Sequence, residues 1–168
     1  NLSWYRPDPT DGTLRLAGSA PSSAEPENLP SELATGRDGR FVYVANRGPD
    51  TIAVFAWEPE GGTLIAEVST GGRWPRHLAL VGDHLYVANE RSQNVTVFRI
   101  DPDSGTPTAQ GDPVSAGSPT CVLRWRPDRA GRQGEVDESG VSTLKAGNWR
   151  VLSESRTLLG MISSRTVS

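Results

Sequence analysis

A 43-residue internal repeat, turn residues that keep nearly the same period, and runs rich in β-branched and aromatic residues predict an all-β fold of consecutive four-stranded antiparallel units. Shifting the 168-residue chain by 43 places Tyr43-Val44-Ala45-Asn46 on Tyr86-Val87-Ala88-Asn89 and Val54-Phe55 on Val97-Phe98. Six of the thirteen positions in 43–55 are identical to those in 86–98. A Pro-x-x-apolar opening recurs at Pro30-Ser31-Glu32-Leu33, Pro75-Arg76-His77-Leu78 and Pro119-Thr120-Cys121-Val122, 45 and then 44 residues apart. Gly-Thr turns recur at Gly12-Thr13, Gly62-Thr63 and Gly105-Thr106, each after an acidic residue and a proline: Asp8-Pro9, Glu58-Pro59 and Asp101-Pro102.

Each unit divides into strands in order. Leu33-Ala34 and Leu78-Ala79-Leu80 open the first strands. The polar stretch Arg37-Asp38-Gly39-Arg40 is an Asp-Gly hairpin turn. The second strands are 41–46 and 84–89, and the third are 51–57 and 94–100, all of strand-forming composition. The fourth runs over 64–68, with a weaker counterpart at 109–114. Four antiparallel strands per repeat of about 40–45 residues form the blade of a β-propeller. No window shows the 3.6-residue periodicity of an amphipathic helix, which excludes a helical solenoid. The repeats end near Leu123 and amount to just under three blades, whereas a closed ring needs about 4–8. The chain is therefore expected to be part of a propeller, over residues 1–123. Its opening at Asn1, with Met161 as the only methionine, points the same way.

From Arg124 the pattern and the charge both change. The next Tyr-Val-Ala-Asn is due near residue 130, where Ala130-Gly131-Arg132-Gln133-Gly134 stands instead; the net charge is +3 from Arg124 onward and −6 before it. Residues 124–168 are expected to be a divergent or disordered tail. Disorder, a divergent closing strand or a change of reading frame would each account for it, and the abrupt loss of pattern favours the last. The 18 glycines and 13 prolines fit a turn-rich domain, and no run of about 18 apolar residues could form a membrane-crossing helix. A net charge of −3 offers no basic face for nucleic acid. Cys121, alone, can make no internal disulfide, and two histidines leave little material for a metal centre.

In such a blade, the start of the first strand and the end of the second share one rim, because neighbouring strands are antiparallel. First strands line the central channel, so Glu32 and Arg47 of one unit, with Arg76, His77, Asn89 and Glu90 of the next and Cys121 of the third, converge on its mouth. That polar, concave place is where a ligand is expected. Hydrolytic chemistry at such a place requires a base to activate water and positive charge at a developing oxyanion. Glu32 or His77 fits the base, and Arg47 and Arg76 fit the oxyanion or a sugar phosphate. The competing structural roles are a turn-capping or arginine-paired Glu32, an inter-blade hydrogen-bonding Arg47, a packed rim histidine at 77 and a solvated Glu90. His84 in its hairpin turn and Cys121 as a small buried residue read as structural. Trp57 and Trp74 read as inter-blade packing, and the acidic residues beside Pro9, Pro59 and Pro102 read as turn formers.

Over residues 1–123 the chain resembles the lactonase family of seven-bladed propellers, which includes bacterial 6-phosphogluconolactonases and fungal carboxymuconate-cyclising enzymes. The matching stretches are Pro30-Ser31-Glu32-Leu33, 38–48, 51–55, 71–77, 85–89 and 94–101, in an order that looks like the family's last blades. The resemblance implies a sugar-lactone hydrolase opening 6-phosphogluconolactone to 6-phosphogluconate, with no metal or organic cofactor. It implies a small-molecule lactone or sugar phosphate as partner and leaves the oligomer open, while charge and hydropathy give the expectation of no nucleic acid and no membrane. Class and the unpaired cysteine together imply a cytoplasmic location. The family's Glu in Pro-x-Glu and Arg in Asn-Arg-Gly match Glu32 and Arg47; its His in Pro-Arg-His and Glu in Asn-Glu match His77 and Glu90, in a blade order reversed relative to the family. A non-catalytic binding or scaffolding propeller and a ring-closing carboxymuconate-type enzyme are the alternatives.

Overall fold

The structure, a computed structural model, describes residues 1–124, 142–146 and 149–153. All regular structure among them is antiparallel β. Strands β1 (Leu2–Pro7) and β2 (Leu14–Ala20) form a hairpin. Strands β3 (Leu29–Thr35), β4 (Phe41–Arg47), β5 (Thr51–Glu58) and β6 (Gly61–Ser69) form a four-stranded meander. A second meander follows with β7 (Pro75–Val81), β8 (His84–Asn89) and β9 (Asn94–Ile100). Its outer edge is split into β10 (Pro107–Ala109) and β11 (Val114–Ser115), both paired to β9, which is why that stretch carries so weak a strand pattern. Next comes β12 (Pro119–Arg124), paired with β14 (Trp149–Ser153), which in turn pairs with β13 (Ser142–Ala146). The expectation of a divergent or disordered tail falls mostly on 125–141, 147–148 and 154–168, outside the described residues.

The first strands begin earlier than their apolar residues indicate. Both β3 and β7 take in the Pro-x-x-apolar opening, with Pro30 opposite Asn46 and Pro75 opposite Asn89.

Packing explains the near-continuous apolar runs of β4 and β5. Alternate side chains of a strand point to opposite faces, and here both faces are covered. Phe41, Tyr43, Ala45, Ile52 and Val54 pack against Leu78, Leu85, Val87, Phe98 and Ile100 of the second meander. Val42, Val44, Ala53 and Phe55 pack with Leu2 from the β1–β2 hairpin. There Trp4 meets Trp57 edge to face, with ring centroids 5.6 Å apart, so Trp57 packs between units as expected. Val122 of β12 packs with Ala88, Val95 and Ala116. The units therefore stack face to face, as propeller blades do. The tip between β9 and β10 is also tied to the blade before it. Gly105, with φ +71°, lies under the Phe41 ring, its carbonyl accepts from the Tyr43 hydroxyl at 3.1 Å, and the Pro102 carbonyl accepts from Arg40 at 2.8 Å. Burial, with the nearby Asp38 carboxylate adding to it, pushes the Tyr43 hydroxyl up to about 12, so it remains a donor.

The repeated asparagines have a structural task. Asn46, next to the end of β4, and Asn89, at the end of β8, are fully buried. The Asn46 amide donates to the Ser22 carbonyl at 2.7 Å and accepts from the Ser22 hydroxyl at 2.8 Å. That of Asn89 donates to Thr96 Oγ1 at 3.0 Å, whose hydroxyl donates to the Thr70 carbonyl at 2.6 Å. These buried amides tie down the linkers that enter each blade, with both polar atoms of Asn46 partnered and the Asn89 Oδ1 left without a partner.

Candidate functional site

Glu32, His77 and Cys121 are equivalent positions in three successive inner strands. Each of these strands is irregular at that point, with register shifts between Pro30 and Leu33, Pro75 and His77, and Pro119 and Cys121. A β-bulge adds a residue and re-aims the side chains beside it. The recurrent proline suits such a place, since it donates no ladder hydrogen bond.

The bulges bring Glu32 and His77 together across two blades. His77 Nε2 lies 3.5 Å from Glu32 Oε2, with the imidazole 20% and the carboxylate 37% exposed. The other ring nitrogen, Nδ1, accepts from the Val122 backbone N–H at 3.4 Å. An accepting Nδ1 leaves the neutral ring's proton on Nε2, pointing at the carboxylate. Burial pulls the His77 pKa below its ordinary 6.5, with the Glu32 charge opposing, so the ring is neutral at pH 7. The second oxygen of Glu32, Oε1, accepts from the Leu33 N–H at 3.0 Å. The carboxylate is thus held at one oxygen by the backbone and faces an imidazole with the other.

Cys121 belongs to the same row. Burial, reinforced by the Glu32 charge, pushes its thiol pKa up. Nucleophilic cysteines have lowered values, so this thiol fits the structural role read from the sequence, although it is partly rather than fully buried.

Arg76 and Glu90 pair with each other, Nη1 to Oε2 at 3.3 Å, at the rim beside His77. Arg47 makes no contact with Glu32. Its Nε donates to the Leu29 carbonyl at 3.1 Å and its Nη2 to the Pro30 carbonyl at 3.4 Å, and its guanidinium carbon lies 5.6 Å from the centre of the Trp74 ring. The five predicted site residues therefore form two contacting pairs plus an arginine anchored to the start of β3. Asn89 faces inward among Asn94 and Thr96 instead of the channel mouth. His84 pairs with Asp83 at 2.7 Å, at the β7–β8 turn.

The Val122 donor and the approach of Arg91 to Trp74 escape the sequence reading. The Val122 N–H is a backbone group and leaves no residue-type signal. Trp74 and Arg91 come together because Arg91 stacks 3.4 Å from the Trp74 ring centre, with Arg47 near the same ring. The one hint of this is the arginine-rich composition around Trp74 and Glu90. A broad depression lined by Ser23, Glu25, Glu27, Gly48, Thr51 and Glu67 contains none of the five candidates. Among the described residues, no group of three or more His, Cys, Asp or Glu side chains is placed to hold a metal ion.

Comparison with known proteins adds the following. A family model described as lactonase, 7-bladed β-propeller, matches residues 1–124. A stretch of 74 residues is 42% identical to the 6-phosphogluconolactonase of Bacillus subtilis (strain 168), covering 41% of this chain and 21% of that protein. The fold superposes on the periplasmic gluconolactonase of Pseudomonas aeruginosa with a TM-score of 0.62 and 30% identity, over 71% of this chain and 35% of that one. A protein of known structure from Lactobacillus plantarum gives a TM-score of 0.63 at 30% identity, over 69% of this chain and 36% of that one. The chain spans about a fifth to a third of the length of these relatives.

Proposed function

The chain belongs to the lactonase family of seven-bladed β-propellers, and from that premise we propose that it contributes catalytic residues to a ring that hydrolyses a sugar lactone, with 6-phosphogluconolactone as the substrate. The observation that carries this reading is the approach of His77 Nε2 to Glu32 Oε2 across two inner strands, with the Arg76–Glu90 pair one residue away on β7.

In the proposed reaction Glu32 is the base. It takes a proton from a water molecule, and the resulting hydroxide attacks the lactone carbonyl carbon. The carbonyl π electrons move onto oxygen, and positive charge at the rim from Arg76 stabilises that oxyanion. As the carbonyl re-forms, the bond to the ring oxygen breaks and the departing alkoxide takes the proton back from Glu32. The product acid loses its own proton to solvent. His77, neutral and with its proton on Nε2, holds the Glu32 carboxylate in place. This division of labour follows from the Val122 N–H on Nδ1, which occupies the lone pair that His77 would need to act as the base itself. No step calls for a metal or an organic cofactor.

The test compares two substrates with a version of the chain extended to a closed ring. Turnover of 6-phosphogluconolactone well above its spontaneous opening, with none of carboxymuconate, is the expected result. Turnover of carboxymuconate alone would replace the hydrolase by a ring-closing enzyme, and turnover of neither would leave a binding propeller.

A further inference from the structure

Trp74 has an unusual backbone. Its φ is +61°, in the left-handed region, although it precedes Pro75. A non-glycine residue held there is strained and persists only when its surroundings fix it. Those surroundings are the Asp50 carboxylate, which accepts from the Trp74 N–H at 2.8 Å, and the Glu90 N–H, which donates to the Trp74 carbonyl at 3.1 Å. The consequence is that the indole lies beside two cations. Arg91 is 3.4 Å and Arg47 5.6 Å from the ring centre.

Neither arginine forms an ion pair with a carboxylate among the described residues, because the Glu90 carboxylate is taken by Arg76. Stacking uses the flat face of a guanidinium and leaves its N–H edge open. Arg47 commits Nε and Nη2 to backbone carbonyls and keeps Nη1, while exposed Arg91 keeps its whole edge. Such pre-positioned, acid-free guanidiniums suit a tetrahedral oxyanion, which they bind through paired charge-assisted hydrogen bonds. Their place matters as well. Arg47 touches the carbonyl of Pro30, two residues before Glu32, and Glu90, next to Arg91, pairs with Arg76, the neighbour of His77.

We propose that Arg47 and Arg91, braced by Trp74, form a subsite for the phosphate of a phosphorylated sugar lactone beside the Glu32–His77 pair. The assignment of the remainder of the ligand rests on the lactonase reading; the oxyanion subsite itself does not.

The 168-residue chain is titrated with 6-phosphogluconate, gluconate and inorganic phosphate. The readout is the Trp74 indole N–H resonance, identified by its loss in Trp74→Phe. The phosphorylated acid and inorganic phosphate are expected to move that resonance, and gluconate at equal concentration is not. Arg91→Gln should weaken the response more than about tenfold, as expected for losing hydrogen bonds to a charged group. Arg99→Gln, which removes an exposed cation paired with Asp83 instead, should leave it within about twofold. An equal response to gluconate, or an Arg91→Gln titration that overlays the parent, would overturn the subsite. A phosphate-dependent shift without lactone turnover by a closed ring would keep the subsite and sink the lactonase reading. Turnover with the same KM for phosphorylated and unphosphorylated lactone would sink the subsite alone.

Discussion

At the scale of single residues, His77 links the fold to the proposed chemistry. It stands on one inner strand, accepts a backbone hydrogen bond from a second and meets the carboxylate of a third. Because burial lowers its pKa below 6.5 in the folded chain, the unfolded chain takes up the proton at higher pH than the folded one. Acidification from 6.5 down to the depressed value therefore favours unfolding, and stability returns as the pH rises. Melting temperatures measured from pH 7.5 to 5 should fall more steeply for the parent chain than for His77→Gln. Parallel curves would show that the ring is not buried neutral. The residue types at this site were legible in the sequence, since Pro-x-x-apolar openings put Glu32 and His77 on first strands. Their pairing and the imidazole tautomer were not, because they depend on bulges and on a backbone donor. Trp74, read from sequence as inter-blade packing, does sit between the units, where a backbone twist that no residue pattern announces sets it between Arg47 of one and Arg91 of the next.

At the scale of elements, the repeat carried most of the information. Tyr-Val-Ala-Asn marks a second strand covered on both faces with a buried amide at or next to its end, and both copies occupy that position. The fourth strand of the second blade was harder to read, because β10 and β11 are short and separated by a turn at Gly111. Blade-to-blade contact at the β9–β10 tip depends on the absence of a side chain at Gly105. A Cβ there would come within 2.5 Å of the Phe41 ring, at a φ of +71°. Gly105→Ala should therefore destabilise the fold by about 2 kcal/mol, the sum of modest backbone strain and overpacking. Gly82→Ala is the control, since it has a similar φ of +64° but nothing within 4 Å, and it isolates the backbone part. Equal losses in the two variants, read by urea denaturation, would show that the Phe41 contact carries no weight.

At the scale of the molecule, the described strands complete two four-stranded blades, flanked by one hairpin and by an inner strand with its partners. Tyr5, Leu14 and Leu16 on the hairpin and Leu29 and Leu33 on β3 are each about half exposed or more. Inner-strand residues enclose a channel only when a ring closes around it, so these strands by themselves leave the Glu32–His77 pair on an open wall. Excluding water and orienting a substrate account for a large part of catalysis. The 168-residue chain alone should therefore turn over lactone at less than about a hundredth of the rate of a closed-ring version. Equal rates would mean that an open wall suffices.

In the proposed chemistry Glu32 is the base for lactone opening. Its most direct test is kcat/KM for 6-phosphogluconolactone in a closed-ring version, with and without Glu32→Gln. The substitution keeps the shape and the hydrogen bond from Leu33 but removes the proton acceptor. A loss of about 10²–10⁴-fold, with KM little changed, is the predicted result. Full activity in Glu32→Gln would contradict it and move the chemistry to another group.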